Sequence, residues 1–227
     1  MSIDPISDDK IVQSWNKNAY PWTIAVRENQ IESRTLVTNH AIIDAVLSRS
    51  PHTVLDVGCG EGWLARALTE HDVSVIGVDV VPALIEQAKR GGGGDFRVAS
   101  YEEIAEGHFD ANVDVVVANF SLIGKESVEG VLRRAPGLLN TRGALIIQTL
   151  HPVVATGDLP YEDGWREGSW SGFSDDFSDP APWYFRTVES WVRLLTQSGF
   201  RILEMREPLH PQTHRPASVI FICLSSG

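Results

Sequence analysis

The chain has 227 residues, 43% of them hydrophobic and 22% charged, an ordinary balance for one domain able to bury a sizeable core. Asp and Glu total 30 against 19 Lys and Arg, giving a formal charge of -11; with no Lys/Arg-rich stretch to neutralise phosphates, a nucleic-acid partner is not expected. No apolar run approaches the ~18 residues of a spanning helix, and the N-terminus, with Asp4, Asp8 and Asp9, lacks the basic and apolar regions of a signal peptide. Cys59 and Cys223 stand far apart in apolar segments, without disulfide or metal-ligand spacing. A cytoplasmic location, no membrane partner and no metal are therefore expected.

Residues 11–50 read as a mostly helical N-terminal cap (1–50 in all), with Ile31, Leu36, Val37, Ile42, Ile43, Val46 and Leu47 near a helical period and a stop at Ser50-Pro51. From Thr53 the pattern alternates. Strands are predicted at 53–57, 73–79, 95–99, 113–119 and 144–149, and helices at 63–71, 82–90, near Glu102 and at 126–139. Continuous apolar strands separated by helices indicate a parallel sheet buried on both faces, so 51–155 is the expected core. Residues 156–185 break the rhythm. They hold Tyr161, Trp165, Trp170, Phe173, Phe177, Trp183, Tyr184 and Phe185 among Gly, Ser, Pro and Asp. A long loop so rich in aromatics argues for a functional insertion rather than disorder. A helix at 187–198, stopped by Gly199, and strands at 200–206 and 218–224 complete the chain. The connection from Pro208 to Pro216 suits an antiparallel pair at the sheet edge. The predicted fold is a single doubly wound α/β (Rossmann-like) domain with a mostly parallel seven-stranded sheet, an antiparallel edge strand, the N-terminal cap and an aromatic lid.

The segment Val54-Leu55-Asp56-Val57-Gly58-Cys59-Gly60-Glu61-Gly62 runs a strand into a glycine-rich turn and straight into a helix. Glycines let backbone amides approach a ligand, and a helix N-terminus favours polar or anionic groups. Asp79, at the end of the second strand, can accept from both hydroxyls of a ribose. The pattern Gly-x-Gly-x-Gly departs from the dinucleotide pattern Gly-x-Gly-x-x-Gly, and Asp56 suits an ammonium better than a pyrophosphate.

These residues closely resemble the glycine-rich motif of class I S-adenosylmethionine-dependent methyltransferases, and the C-terminal part is similar to their small-molecule branch. The resemblance implies S-adenosylmethionine as cofactor, its methionine end held by Asp56 and the loop Gly58, Cys59 and Gly60, and its ribose by Asp79 beside Val80. By position Ser100 stands where the family often has an acid for the adenine amino group, with Tyr101 and Glu102 alongside. Asn119 and Phe120 follow strand four; only the Asn matches the motif of enzymes that methylate exocyclic amines. An arginine from the N-terminal cap to the methionine carboxylate is implied, with Arg34 first and Arg27 second. His151, after strand five, is the candidate general base, with a ring satisfied by backbone groups as the alternative. Seven acids between Asp158 and Asp179 against Arg166 read as solvated surface, with an amine acceptor as the other possibility. The expected function is methyl transfer to a small-molecule substrate. A non-enzymatic S-adenosylmethionine-binding protein and an NAD-dependent oxidoreductase share the fold, the latter disfavoured by the glycine spacing.

Overall fold

A computed structural model describes residues 4–226. The first helix, α1 (Asp8–Arg27), starts where Ser7 accepts the Lys10 N–H at 3.2 Å and where Asp8 and Asp9 complement the helix dipole. The helical N-terminal stretch is interrupted: a π-helical turn at Arg34–Thr38 leads into α2 (Asn39–Leu47). The alternation then runs β1 (Thr53–Val57), α3 (Trp63–Thr69), β2 (Ser74–Asp79), α4 (Pro82–Gly91), β3 (Asp95–Val98), α5 (Tyr101–Ala105), β4 (Val113–Asn119), α6 (Glu126–Arg134) and β5 (Leu139–Thr149). Helix α6 stops short of the predicted Leu139 because Pro136 tightens the chain into a 3-10 turn at Ala135–Leu138.

The seven strands lie in the order β3-β2-β1-β4-β5-β9-β8, where β8 (Phe200–Arg206) and β9 (Val219–Ser225) are the last two in sequence. Pairing is parallel from β3 through β5, and β9 is antiparallel to both of its neighbours. The expected antiparallel pair, β9 with β8, forms this edge of the sheet, with the reversed strand β9 inserted between β5 and β8. Alternate residues serve opposite layers. On β4, Val116 and Ala118 enter one core with Leu55, Leu132, Trp191 and Phe221, while Val115 and Val117 enter the other with Ile42, Leu64, Ile85 and Ile146. Among the described residues no helix is long and apolar enough to cross a membrane.

This topology gathers the C-terminal ends of β1, β2, β4 and β5 at the point where strand order reverses about β1, the usual place for a ligand in an open α/β sheet. The insertion covers that edge. It comprises a short helix α7 (Pro152–Ala155), an antiparallel hairpin of β6 (Gly164–Arg166) and β7 (Trp183–Phe185), and the loop between them; α8 (Val188–Gln197) follows. Trp170 packs edge-on against Trp15 of α1 at 5.7 Å and against Phe173 at 5.4 Å. Polar contacts fasten the same seam. Asn18, fully buried, exchanges hydrogen bonds with the Ser178 backbone at 2.8 and 2.9 Å, Ser14 donates to the Asp179 carbonyl at 2.5 Å, and Lys10 and Lys17 pair with the Asp179 carboxylate.

Asn18→Ala should strand the Ser178 N–H and C=O, costing about 1–3 kcal/mol. Hydrogen exchange is expected to accelerate at residues 170–180 while the sheet amides keep their protection. Unchanged exchange there would mean that the aromatic contacts alone hold the lid.

Candidate active site

The turn after β1 is built by long-range backbone bonds. Gly58 and Cys59 both donate to the Val78 carbonyl, at 2.8 and 2.9 Å, and Gly60 donates to the Asp79 carboxylate at 2.9 Å. Gly58 has φ +78, and a Cβ there would overlap the Ser121 side chain; no other residue suits both the angle and the space. Gly60 holds φ +57, and a Cβ there would sit in ordinary contact with the Trp22 indole nitrogen at 3.6 Å. Behind the turn lies a residue that the motif reading passed over. Glu61 is fully buried and meets Arg27 at 3.0 Å and Arg66 at 2.6 Å. The cue was available, since a carboxylate between two glycines at a buried strand-helix junction needs a cationic partner.

A cavity of about 600 Å³ opens at this edge, lined by nine of the expected site residues: Arg34, Gly58, Cys59, Gly60, Asp79, Val80, Tyr101, Asn119 and Phe120. They come from the cap, β2, β4, the turn after β1 and the start of α5. Phe120 holds φ +54 as its N–H donates to Gln148 at 2.8 Å. That conformation is strained for a bulky residue, and such strain clusters at functional sites. The lid supplies the opposite wall through Trp170, Phe173, Trp183, Tyr184 and Phe185.

Asp79 has two tasks within the fold. Its oxygens accept from Gly60 and from Val81 at 2.9 Å each, so it shapes the turn and also caps the approach to α4. A carboxylate offers about four acceptor sites, so Asp79 keeps capacity for a further donor. Burial raises its pKa, and hydrogen bonds from Val81, Gly60 and Val80 oppose the shift. Arg34 is half-buried, its guanidinium 4.7 Å from the Trp63 ring and 5.6 Å from Trp22. One of its bonds goes to Asn39 at 3.2 Å, and its second terminal nitrogen is buried without a partner. Burial draws its pKa down to about 10, with Glu61 acting the other way. Arg27, the second candidate, is already engaged by Glu61 and by the Gln87 carbonyl.

Three expected residues are not brought to the cavity lining. Ser100 caps α5 instead: its hydroxyl accepts from Glu103 N–H at 3.1 Å, and Glu103 accepts from Ser100 N–H at 2.7 Å. Neighbouring Tyr101 and Glu102 do reach the lining. His151 is buried outside the lining, its Nε2 2.7 Å from Glu207 and its Nδ1 without a partner. No histidine lines the cavity among the described residues. Asp56 is buried, because side chains alternate along β1 and its own points into the layer on the face opposite Leu55 and Val57.

Burial first, and Asp79 second, push the Asp56 pKa from 3.8 up to about 7. Within that window the folded state therefore binds more protons than the unfolded chain, and stability falls as pH rises. Asp56→Asn removes the titration. Between pH 5 and pH 8 the wild type should lose on the order of 1–3 kcal/mol relative to the variant, read from urea unfolding. Parallel pH profiles would refute the assignment.

Comparison with known proteins agrees with this geometry. Residues 33–205 match the family model described as a methyltransferase domain. An uncharacterized methyltransferase of Mycobacterium tuberculosis is 28% identical over 164 residues, covering 68% of this chain and 83% of the relative. A ubiquinone biosynthesis O-methyltransferase of Azorhizobium caulinodans is 32% identical over 106 residues, covering 44% of this chain and 41% of that protein. Among solved structures, the 1,6-didemethyltoxoflavin-N1-methyltransferase of Burkholderia thailandensis, with 1,6-didemethyltoxoflavin and S-adenosylhomocysteine bound, aligns with a TM-score of 0.68 at 17% identity. That alignment covers 100% of this chain and 94% of the other, and at such identity it is a likeness of fold. A family match over most of the chain, on this fold and with this glycine turn, makes the protein a member of the methyltransferase-domain family, a class I S-adenosylmethionine-dependent methyltransferase.

Proposed function

We propose that this enzyme methylates a flat, largely apolar small molecule held under the aromatic lid. The observation that carries the reading is the cavity itself. One wall is a glycine turn with Asp79 and an unpartnered Arg34 nitrogen, and the facing wall is aromatic. The relatives named for ubiquinone biosynthesis and for 1,6-didemethyltoxoflavin support a compact organic acceptor.

The residues present fit the cofactor. The partnerless nitrogen of Arg34 suits a carboxylate, the partnerless Oδ1 of Asn119 suits an N–H or O–H donor, and the remaining acceptor capacity of Asp79 suits a ribose hydroxyl. In this reading Arg34 would hold the methionine carboxylate, the Gly58 to Gly60 backbone its amino-acid backbone, and Asp79 the ribose. Tyr101, Asn119 and Phe120 would border the adenosyl portion. Bound S-adenosylmethionine supplies a methyl group activated by a sulfonium.

The protein's part is alignment and exclusion of water. Methyl transfer is an in-line displacement, so holding the acceptor atom on the axis of the breaking bond provides much of the rate. Trp15 and Trp170 close one side of the cavity, Phe120 presses from the strand edge, and Trp183 and Tyr184 bound the lid side. A dry chamber also prevents water from competing as the nucleophile. With His151 tied to Glu207 outside the lining, this arrangement favours an acceptor that is already nucleophilic, or whose proton leaves to solvent.

Arg34→Met tests the cofactor assignment more cleanly than Asp79→Ala, because Asp79 also supports the turn. Calorimetric titration should show S-adenosylhomocysteine binding to the wild type and affinity at least about tenfold weaker in Arg34→Met, the loss of one charge-assisted hydrogen bond. The melting temperature should stay near that of the wild type. Binding of NADH without S-adenosylhomocysteine would overturn the reading.

A further inference from the structure

Arg186 has no task in cofactor binding as derived above. It lies immediately after β7, only 4% exposed, and it lines the cavity. Its terminal nitrogens donate to the carbonyls of Gly124 at 2.8 Å and Lys125 at 3.1 Å. Both acceptors are neutral. Among the described residues, the one carboxylate within 4.0 Å is Glu129, at that limit. The guanidinium sits 4.8 Å from the Tyr184 ring and 5.3 Å from Trp191, and both rings line the same cavity. Taking a guanidinium out of water without a hydrogen-bonded carboxylate is costly, and such a group is suited to recognise a planar anion.

Two neighbouring acids are already occupied. Asp8 accepts from the N–H groups of Lys125 and Ser127 at 2.8 and 2.7 Å, and Asp163 accepts from Thr187 N–H at 2.9 Å. The acids of the lid, which left an amine acceptor open on sequence grounds, do not line the cavity, and Asp179 is held by Lys10 and Lys17. The two arginines that do line it belong to different walls. Arg34 stands beside Trp22 and Trp63 near the glycine turn, and Arg186 stands beside Tyr184 and Trp191 under the lid.

We propose that the acceptor carries a carboxylate, and that Arg186 selects it and fixes its orientation while the aromatic walls hold its flat body. This inference rests on the methyltransferase reading and names the substrate class for that same cavity. Pairing at the anionic end would leave the nucleophilic atom of the acceptor toward the glycine turn, on the side where Asp79 and Arg34 hold the cofactor.

The test uses full-length protein saturated with S-adenosylhomocysteine and two pairs of probes that differ only in charge: benzoate with benzamide, and 2-naphthoate with 2-naphthamide. In calorimetric titration the acid of at least one pair should bind about tenfold or more tighter than its amide, the scale of a charge-assisted bond. In Arg186→Met that preference should collapse to about twofold or less, with S-adenosylhomocysteine affinity unchanged. Arg186→Lys keeps the charge but loses the fork, so it should narrow the preference without abolishing it; it also decides the matter should Arg186→Met fail to fold. Equal binding of acid and amide to the wild type, no binding of any probe, or a preference that survives undiminished in either variant would overturn the proposal. Failure of the wild type to bind S-adenosylhomocysteine would instead overturn the methyltransferase reading beneath it.

Discussion

Glu61 is the point on which the site depends. Its carboxylate has no exposure to water and is met by Arg27 from α1 and Arg66 from α3. Arg27 also reaches the Gln87 carbonyl in α4 at 2.9 Å, and Arg66 donates back to the Glu61 carbonyl at 2.8 Å. One buried charge therefore ties the N-terminal cap, the glycine turn and two helices of the same layer. Removing one member of such a cluster leaves an uncompensated charge, at a cost of about 3–5 kcal/mol. The cluster is better understood as a positional device than as a source of stability, since well-packed apolar residues could hold the elements at least as firmly.

With the turn anchored there, the other features of the cavity follow. Asp79 can bond Gly60 because the turn doubles back over the end of β2, and Gly58 can sit against Ser121 because β4 lies next to β1. Ser121 in turn donates to the Val57 carbonyl at 2.6 Å and accepts through its own carbonyl from the Tyr101 hydroxyl at 3.0 Å. The ends of three strands are stitched into one rigid rim. The lid closes over this rim through α1, whose Trp15 and Trp22 touch both sides of the cavity and contact each other edge-on at 5.1 Å.

The charge layout of the molecule separates two scales. A net charge of -11 describes mainly the solvated surface. The cavity lining carries both signs: Arg34 and Arg186, each packed on aromatic faces, beside Asp8, Asp9, Asp79 and Glu102. Composition averaged along the lid pointed toward acids, whereas its inward side chains are aromatic, with the Arg186 guanidinium immediately after them.

Much of the architecture was legible from sequence because its causes are local. Apolar runs of strand length, helical periodicity between them and a strand-glycine-helix junction each depend on neighbouring residues. These placed all seven strands of the main sheet, the turn at Gly58 to Gly62 and the acid ending β2. Arg34, Tyr101, Asn119 and Phe120, which the family resemblance pointed to near the ends of such elements, line the cavity. What only the tertiary structure decided was the direction and partner of individual side chains. Ser100 and His151 occupy the expected ends of β3 and β5, yet one is used by Glu103 in its own capping box and the other by Glu207 from 56 residues away. Asp56 faces into the layer because it alternates with Leu55 and Val57 along β1, and helices cover both faces of the sheet there. The lid's seat on α1 rests on Asn18 meeting Ser178 across 160 residues. A hydrogen bond of this kind is set by where two distant backbones converge, and that convergence is a property of the packed layers rather than of any window of sequence.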